Sequence, residues 1–317
     1  LVDIYGIDHG VYKDNPGLQP TPGKALNLSI DSELQALIED LFRGKKGAAI
    51  CMMPQSGEVL AFVSAPDYDL NSFAGPVPIE LWERWNTDPE RPLLNRGIQG
   101  LYPPGSTFKL IGATLAKEES IVDKNWTVNC NGVYHLGDRD FHCWNNAGHG
   151  IVNMDKAIFQ SCNIYFYHLI QKLSFNNWKA MAENFGFGAT TGIDLLGEKG
   201  GLVPGKKYMN KKYGRYGWAT GNLLTFIIGQ GDILVTPIQV AQMMSIIATR
   251  GNTKTPHLLV DSPSENIIVS LKSTTWDFLQ QATWNVVNHE DGTGKAAKVL
   301  GGEVHGKTGT AQNPHGE

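Results

Sequence analysis

An α+β fold with a mostly helical insertion is what this 317-residue sequence predicts. Three observations point there: a strand, a helix and a hairpin succeed one another early in the chain, the middle reads as helices broken by glycines, and strand signals return near the end. Residues 1–24 carry Gly6, Gly10, Pro16, Gly17, Pro20, Pro22 and Gly23 with little periodicity, which suggests a linker or the tail of a preceding domain. The domain proper is expected from about Ala25 to residue 317. Leu26 to Ile30 reads as a strand, and Asp31 or Ser32 can cap a helix running to about Phe42. Gly47 to Met53 and Val59 to Ser64 flank Gln55-Ser56-Gly57 as a hairpin. From Arg96 to about Gln171 the pattern is mostly helical, and a helical subdomain is expected over about 96–225. Strands return after Pro256 and again at Glu303 to Gln312.

Composition narrows the function classes. The formal net charge of -4 leaves no basic footprint, so nucleic acid is not an expected partner. No stretch approaches the length of a membrane-spanning helix, so any anchor or targeting segment is expected to lie outside this sequence. Four cysteines, Cys51, Cys130, Cys143 and Cys162, are too few for a disulfide scaffold; they leave one or two bridges or a metal site open.

The first chemically informative segment is Tyr102-Pro103-Pro104-Gly105-Ser106-Thr107-Phe108-Lys109. Pro-Pro-Gly halts what precedes it and good helix formers follow, which sets Ser106 at the first turn of a new helix. Lys109, three residues on, shares its face and brings an amine within reach of the hydroxyl. A serine hydroxyl needs a base to become a nucleophile, and a lysine serves when burial or nearby positive charge lowers its pKa. Ser-x-x-Lys also arises by chance roughly once in a few hundred residues at average composition. Company strengthens it. Ser161-Cys162-Asn163 lies at a junction between helical stretches, where a hydroxyl and an amide can face a cleft; Ser264-Glu265-Asn266, in a polar loop, is discounted. His305-Gly306-Lys307-Thr308-Gly309-Thr310 reads as a strand whose glycines admit a close backbone or ligand and whose lysine offers a fixed cation to a carboxylate. Gly292-Thr293-Gly294-Lys295 lacks the spaced glycine and the hydroxyl of a phosphate loop.

Ser-x-x-Lys, Ser-x-Asn and Lys-Thr-Gly, in this order, form the set of the penicillin-recognising serine enzymes. With Gly229-Gln230-Gly231, Thr236-Pro237, Gly292-Thr293-Gly294, Trp144 to Gly150 and Gly192-Ile193-Asp194-Leu195, the chain resembles the elongation type of class B penicillin-binding proteins from Ala25 onward. The resemblance implies a penicillin-binding transpeptidase, serine β-lactamase-like fold with a central antiparallel sheet flanked by helices. It also implies further strands and a helix after Lys-Thr-Gly, and so a truncated C-terminal end. The implied activity is that of a D,D-transpeptidase cross-linking peptidoglycan stem peptides, with roles in cell elongation and shape. By the same resemblance Ser106 is the nucleophile, Lys109 its base, and Ser161 passes a proton to the leaving group. Asn163 holds the acyl chain, Lys307 and Thr308 bind the terminal carboxylate, and Thr310, next to Gly309, shares the oxyanion with Ser106. A D,D-carboxypeptidase, a β-lactamase or a β-lactam sensor domain would use the same residues.

Some relatives of this type hold zinc beside the Gly-His-Gly motif. The resemblance thus implies a structural zinc ion on Cys130, Cys143, His149 and Cys162, with Cys51 left as a free core thiol. Implied partners are stem peptides, β-lactams, a SEDS-type membrane glycosyltransferase and elongation-complex proteins. The implied location is the periplasmic face of the bacterial inner membrane, with an N-terminal helix as anchor.

Overall fold

The computed structural model describes residues 3–10 and 23–311. Asp31 opens the first helix, α1 (Ser32–Leu41), by accepting the Glu33 and Leu34 amides at 3.0 Å each. β1 (Gly47–Met52) and β2 (Val59–Ala65) pair antiparallel, with the register Gly47 to Ala65 through Cys51 to Ala61. Gly57, at φ 81°, takes the left-handed conformation that closes this hairpin. β2 buries every second residue, while α1 covers the sheet. The strand expected at Leu26 to Ile30 shrinks to an isolated bridge between Leu28 and Leu259, because this segment shares its neighbours with the 257–260 loop.

A helical body follows. After α2 (Ile79–Thr87), a 3-10 turn at Gly105–Phe108 leads into α3 (Lys109–Glu118). Residues 109 to 116 of α3 are all buried, as expected for a helix apolar on every face. The predominantly helical expectation for 96–171 is interrupted by β3 (Val128–Cys130), β4 (Val133–Leu136), β5 (Arg139–His142) and β6 (Gly150–Val152). They form two small antiparallel pairs, β3 with β6 and β4 with β5. Strands of three or four residues are too short to carry a legible alternation.

α4 (Met154–Phe159), α5 (Asn163–Ile170), α6 (Phe175–Asn184), α7 (Lys206–Tyr213), α8 (Thr220–Ile227) and α9 (Pro237–Ala248) complete the body. β7 (Asn252–Lys254) pairs with β8 (Asn266–Ile268), and α10 (Ser273–Asn288) packs on α3, α4 and α9. Phe108, Trp178, Phe187 and Phe226 surround the α3 core in edge and stacked contacts.

The strand expected at Glu303 to Gln312 is not one. Residues 303–311 run without regular structure, since no strand pairs with them and the Gly306 amide bonds the Thr283 carbonyl of α10 instead; Gln312 lies outside the described residues. Among the described residues every sheet is two-stranded.

Candidate active site

Ser106 sits in the 3-10 turn, one turn ahead of α3 rather than inside it. Two glycines bring three chain segments together there. The Gly105 amide bonds the Gly229 carbonyl at 2.9 Å, and a Cβ on Gly229 (φ 72°) would stand 2.1 Å from the Gly105 carbonyl oxygen. A Cβ on Gly105 would stand 2.6 Å from the Thr310 oxygen. Only glycine permits these contacts, so the backbone at Gly309 and Thr310 lies directly against the Ser106 turn.

Lys109 is fully buried as the first residue of α3. Its Nζ donates to Asn163 Oδ1 at 2.7 Å, to the Ser161 carbonyl at 2.7 Å and to Ser161 Oγ at 3.2 Å. Lys307 Nζ donates to the same Ser161 Oγ at 3.0 Å and to the Thr308 carbonyl at 2.9 Å. Two lysines thus meet at one hydroxyl, with no carboxylate bonded to either among the described residues. Burial lowers the Lys109 pKa to about 7 against an opposing pull from the Cys162 and Cys143 thiols. Burial pushes Lys307 well below the usual lysine range, and the charge of Lys109 pushes it further.

No hydrogen bond joins Ser106 Oγ to Lys109 among the described residues. Both oxygens of the two motifs nevertheless line one cleft of about 680 Å³, with Asn163, Thr308, Gly309 and Thr310. Ser161 is held at φ 56°, in the left-handed region, between α4 and α5. A non-glycine residue there costs of order 1–3 kcal/mol and persists only where its surroundings enforce it. The enforcement is visible in the Ser161 amide bonded to Ile158 and the Cys162 amide bonded to Ala157.

Sequence reasoning singled out none of Trp144, Ile228, Gln230 and Thr293 as a site residue, yet all four line the cleft. Thr293 had a signal, the Gly-Thr-Gly triplet. Its Oγ1 lies 2.9 Å from Thr308 Oγ1 and bonds the Phe159 carbonyl at 3.1 Å, tying the Lys307 segment to the end of α4. Asn266 of the discounted Ser264-Glu265-Asn266 begins β8, and the triplet contributes nothing to the cleft.

Beneath Ser161, the ligand atoms of Cys130, Cys143, His149 and Cys162 lie within 4.8 Å of one another. Cys130 ends β3, Cys143 follows β5, His149 precedes β6 and Cys162 caps α5. His149 Nδ1 lies 3.5 Å from both the Cys130 and Cys143 sulfurs. With Zn–S of about 2.3 Å and Zn–N of about 2.0 Å, a tetrahedral ion requires donor separations of roughly 3.5–3.8 Å, which both His149–sulfur separations match, while the donor types, three thiols and one imidazole, suit zinc. No disulfide joins any of the four cysteines. Bonding to Cys162 draws the Cys143 thiol down to about 3 and the Cys130 thiol down to about 6, while Cys162 is pushed up. Cys143 Sγ also accepts the Asn163 amide at 3.4 Å, which joins this cluster to the cleft. Cys51 stands apart on β1, half-buried and free.

Comparison with known proteins agrees with this geometry. Residues 47–316 match the penicillin binding protein transpeptidase domain. The peptidoglycan D,D-transpeptidase MrdA of Haemophilus influenzae is 36% identical over 304 residues, which make up 92% of this chain and 46% of that protein. The enzyme of the same name from Acinetobacter baumannii is 34% identical over 306 residues, 92% of this chain and 45% of that protein. The chain spans about half the length of the curated relatives it matches. Among solved structures, PBP2 of Pseudomonas aeruginosa in complex with WCK 5153 superposes with a TM-score of 0.84 at 36% identity, covering 92% of this chain and 69% of that one. PBP2 of Helicobacter pylori in complex with MreC gives 0.84 at 34% identity, covering 91% of this chain and 55% of that one. With its expected α+β architecture shared by these structures and its family signature spanning most of its length, the chain belongs to the penicillin-binding protein transpeptidases.

Proposed function

We propose that this chain is the catalytic domain of a peptidoglycan D,D-transpeptidase working through an acyl-enzyme on Ser106. The observation that carries the reading is the convergence of Lys109 and Lys307 on Ser161 Oγ inside the Ser106 cleft. A neutral Lys109 has two N–H groups and one lone pair. The two 2.7 Å acceptors, Asn163 Oδ1 and the Ser161 carbonyl, take the N–H groups, so in this neutral state the Ser161 hydroxyl at 3.2 Å donates to the lone pair, which is given over to the Ser106 proton as that residue attacks. Lys109 accepts the Ser106 proton as Ser106 Oγ attacks the penultimate peptide carbonyl. The Thr310 amide has no acceptor among the described residues, and the Ser106 amide opens a helical turn, so both are free to donate to the oxyanion. Ser161, bonded to both lysines, relays the proton to the departing D-alanine amine. Lys307 and Thr308 hold the terminal carboxylate, and Asn163 orients the acyl chain. An incoming amine then breaks the ester, returning its proton along the same path.

The experiment is intact-mass analysis with benzylpenicillin. One covalent equivalent on Ser106, absent in Ser106→Ala, supports the reading; an adduct on Ser161 overturns it. Rapid turnover of a chromogenic β-lactam would favour a hydrolytic carboxypeptidase or β-lactamase over a transpeptidase.

The cysteine cluster we read as a structural zinc site. Three thiolates and one imidazole fill a tetrahedral shell, so the ion would supply rigidity and no open position for chemistry. Cys162 lies between Ser161 and Asn163, and Cys143 Sγ accepts the Asn163 amide; a fixed cluster would hold the second motif from behind. Elongation-complex proteins are proposed partners, in keeping with the MreC complex of the Helicobacter pylori relative and with a matched structure of a peptidoglycan synthase complex. A membrane glycosyltransferase belongs to the same proposal, as does a periplasmic location on the inner membrane. No helix among the described residues is long and apolar enough to cross a membrane. The expected division into a linker at 1–24 and a helical subdomain at about 96–225 is likewise proposed, residues 11–22 lying outside the described residues.

A further inference from the structure

Between Glu198 and Asp232 the sequence holds six cations, Lys199, Lys206, Lys207, Lys211, Lys212 and Arg215, and not one acid, in a chain whose net charge is -4. Five of them lie on α7 and the turn after it, and all five side chains are exposed. Only Lys212 has an acid partner, Asp232 at 2.5 Å; the other four on this arm have none among the described residues. Lys207 and Lys211, one helical turn apart, repel each other, so the arrangement costs helix stability and gains nothing within the fold.

The arm is fixed to the rim of the cleft. Lys212 and Tyr213 both bond the Asp232 carboxylate, the latter at 2.7 Å, and Trp218 Nε1 donates to Asn210 at 2.8 Å. Asp232 is two residues from Gln230, which lines the cleft, so the tether lies within about 7 Å of the cleft wall along the backbone. At the tip Arg215 stands 5.8 Å from the ring centre of Tyr216, which is 91% exposed. A lipid surface suits this arm poorly, because the apolar side of α7 is already used: Met209 is fully buried and Tyr208 packs on the core.

We propose that the Lys206 to Arg215 arm is a docking surface for the carboxylate-bearing peptide strand on which the cleft acts. The proposal rests on the transpeptidase reading above and adds to it a place where the acidic strand is captured before its end enters the cleft. Such capture raises the local substrate concentration and weakens with salt, because exposed charges are screened. It leaves the chemistry at Ser106 untouched.

The test compares the full chain with the combined variant Lys206→Gln, Lys207→Gln, Lys211→Gln and Arg215→Gln. Binding to soluble, uncross-linked peptidoglycan strands is measured at about 0.05 M and about 0.5 M salt. Binding is expected to weaken about tenfold or more in the variant at low salt, with the difference gone at high salt. Benzylpenicillin acylation of the variant, expected at the unmodified rate, shows that the fold and cleft are intact. Equal strand binding by both proteins overturns the docking surface. So does a variant that loses binding to anionic phospholipid vesicles while keeping the strands. A chain that benzylpenicillin never acylates defeats the transpeptidase reading instead.

Discussion

If Lys109 is the base, acylation follows its titration. The perturbation is pH, and the structure supplies the midpoint, since burial holds this lysine at about 7 rather than the ordinary 10.5. Only the neutral amine accepts the Ser106 proton. The second-order acylation rate is therefore expected to climb about tenfold per pH unit below 7 and to level off above about 8, with pH 5.5 giving about 3% of the plateau. Stopped-flow labelling with a fluorescent penicillin reads this directly. The same burial has a thermodynamic signature. Between pH 7 and 10.5 the unfolded lysine keeps a proton that the folded one has released, so this group's contribution to stability rises with pH across that window and is at its worst below 7. The gap corresponds to at most about 5 kcal/mol, a figure already net of what Asn163 and Ser161 return as hydrogen-bond acceptors. A rate that is flat from pH 5.5 to 8, or one still climbing at pH 9, would refute the assignment of Lys109 as the base.

Other substitutions probe the remaining parts. If Lys307 holds the substrate carboxylate, whose charge would draw its lowered pKa back up on binding, Lys307→Ala is expected to cost about 1.5–3 kcal/mol, or one to two powers of ten in acylation rate; unchanged kinetics would remove Lys307 from the site. Cys143→Ser is expected to lower both the zinc content, about one ion per chain by elemental analysis, and the acylation rate. A metal-free protein with a Cys130 to Cys143 disulfide would end that reading. Gly229→Ala places a Cβ 2.1 Å from the Gly105 carbonyl oxygen at φ 72°, so a loss of roughly 2 kcal/mol or more in denaturant unfolding is expected along with impaired labelling. Normal stability and labelling would show that the two loops can part freely.

The three motifs were legible because each is a compact run whose chemistry shows in residue type and spacing. Asp31 as a helix cap and the Gly57 hairpin were legible for a similar reason, since caps and turns are written in single residues. What escaped was whatever depends on distant neighbours. The Lys307 segment alternates like a strand, yet whether it becomes one depends on a pairing partner. The i, i+3 spacing of Ser106 and Lys109 predicted a direct contact, whereas Lys109 turns to Ser161 and Asn163, some fifty residues away in sequence, because they are the acceptors that satisfy a buried amine. Trp144 and Gln230 lie in segments that carry the resemblance, yet residue type alone does not say that their side chains would face the cleft. Spacing alone left the cysteine cluster as one of several options, because its ligands are gathered by two small hairpins and a helix cap.

The burial of α3 has one more consequence. The turn bearing Ser106 runs straight into a helix whose residues 109 to 116 have no solvent face. Their amides should exchange with deuterium only when the whole body opens, at the slowest rate in the chain, whereas those of the exposed 214–217 loop exchange quickly. Substitutions on α3 would cost much of the stability margin at once, so tolerated variation should collect at the cleft rim, around Trp144, Ile228 and Gln230, where side chains can vary without disturbing the helix behind Ser106.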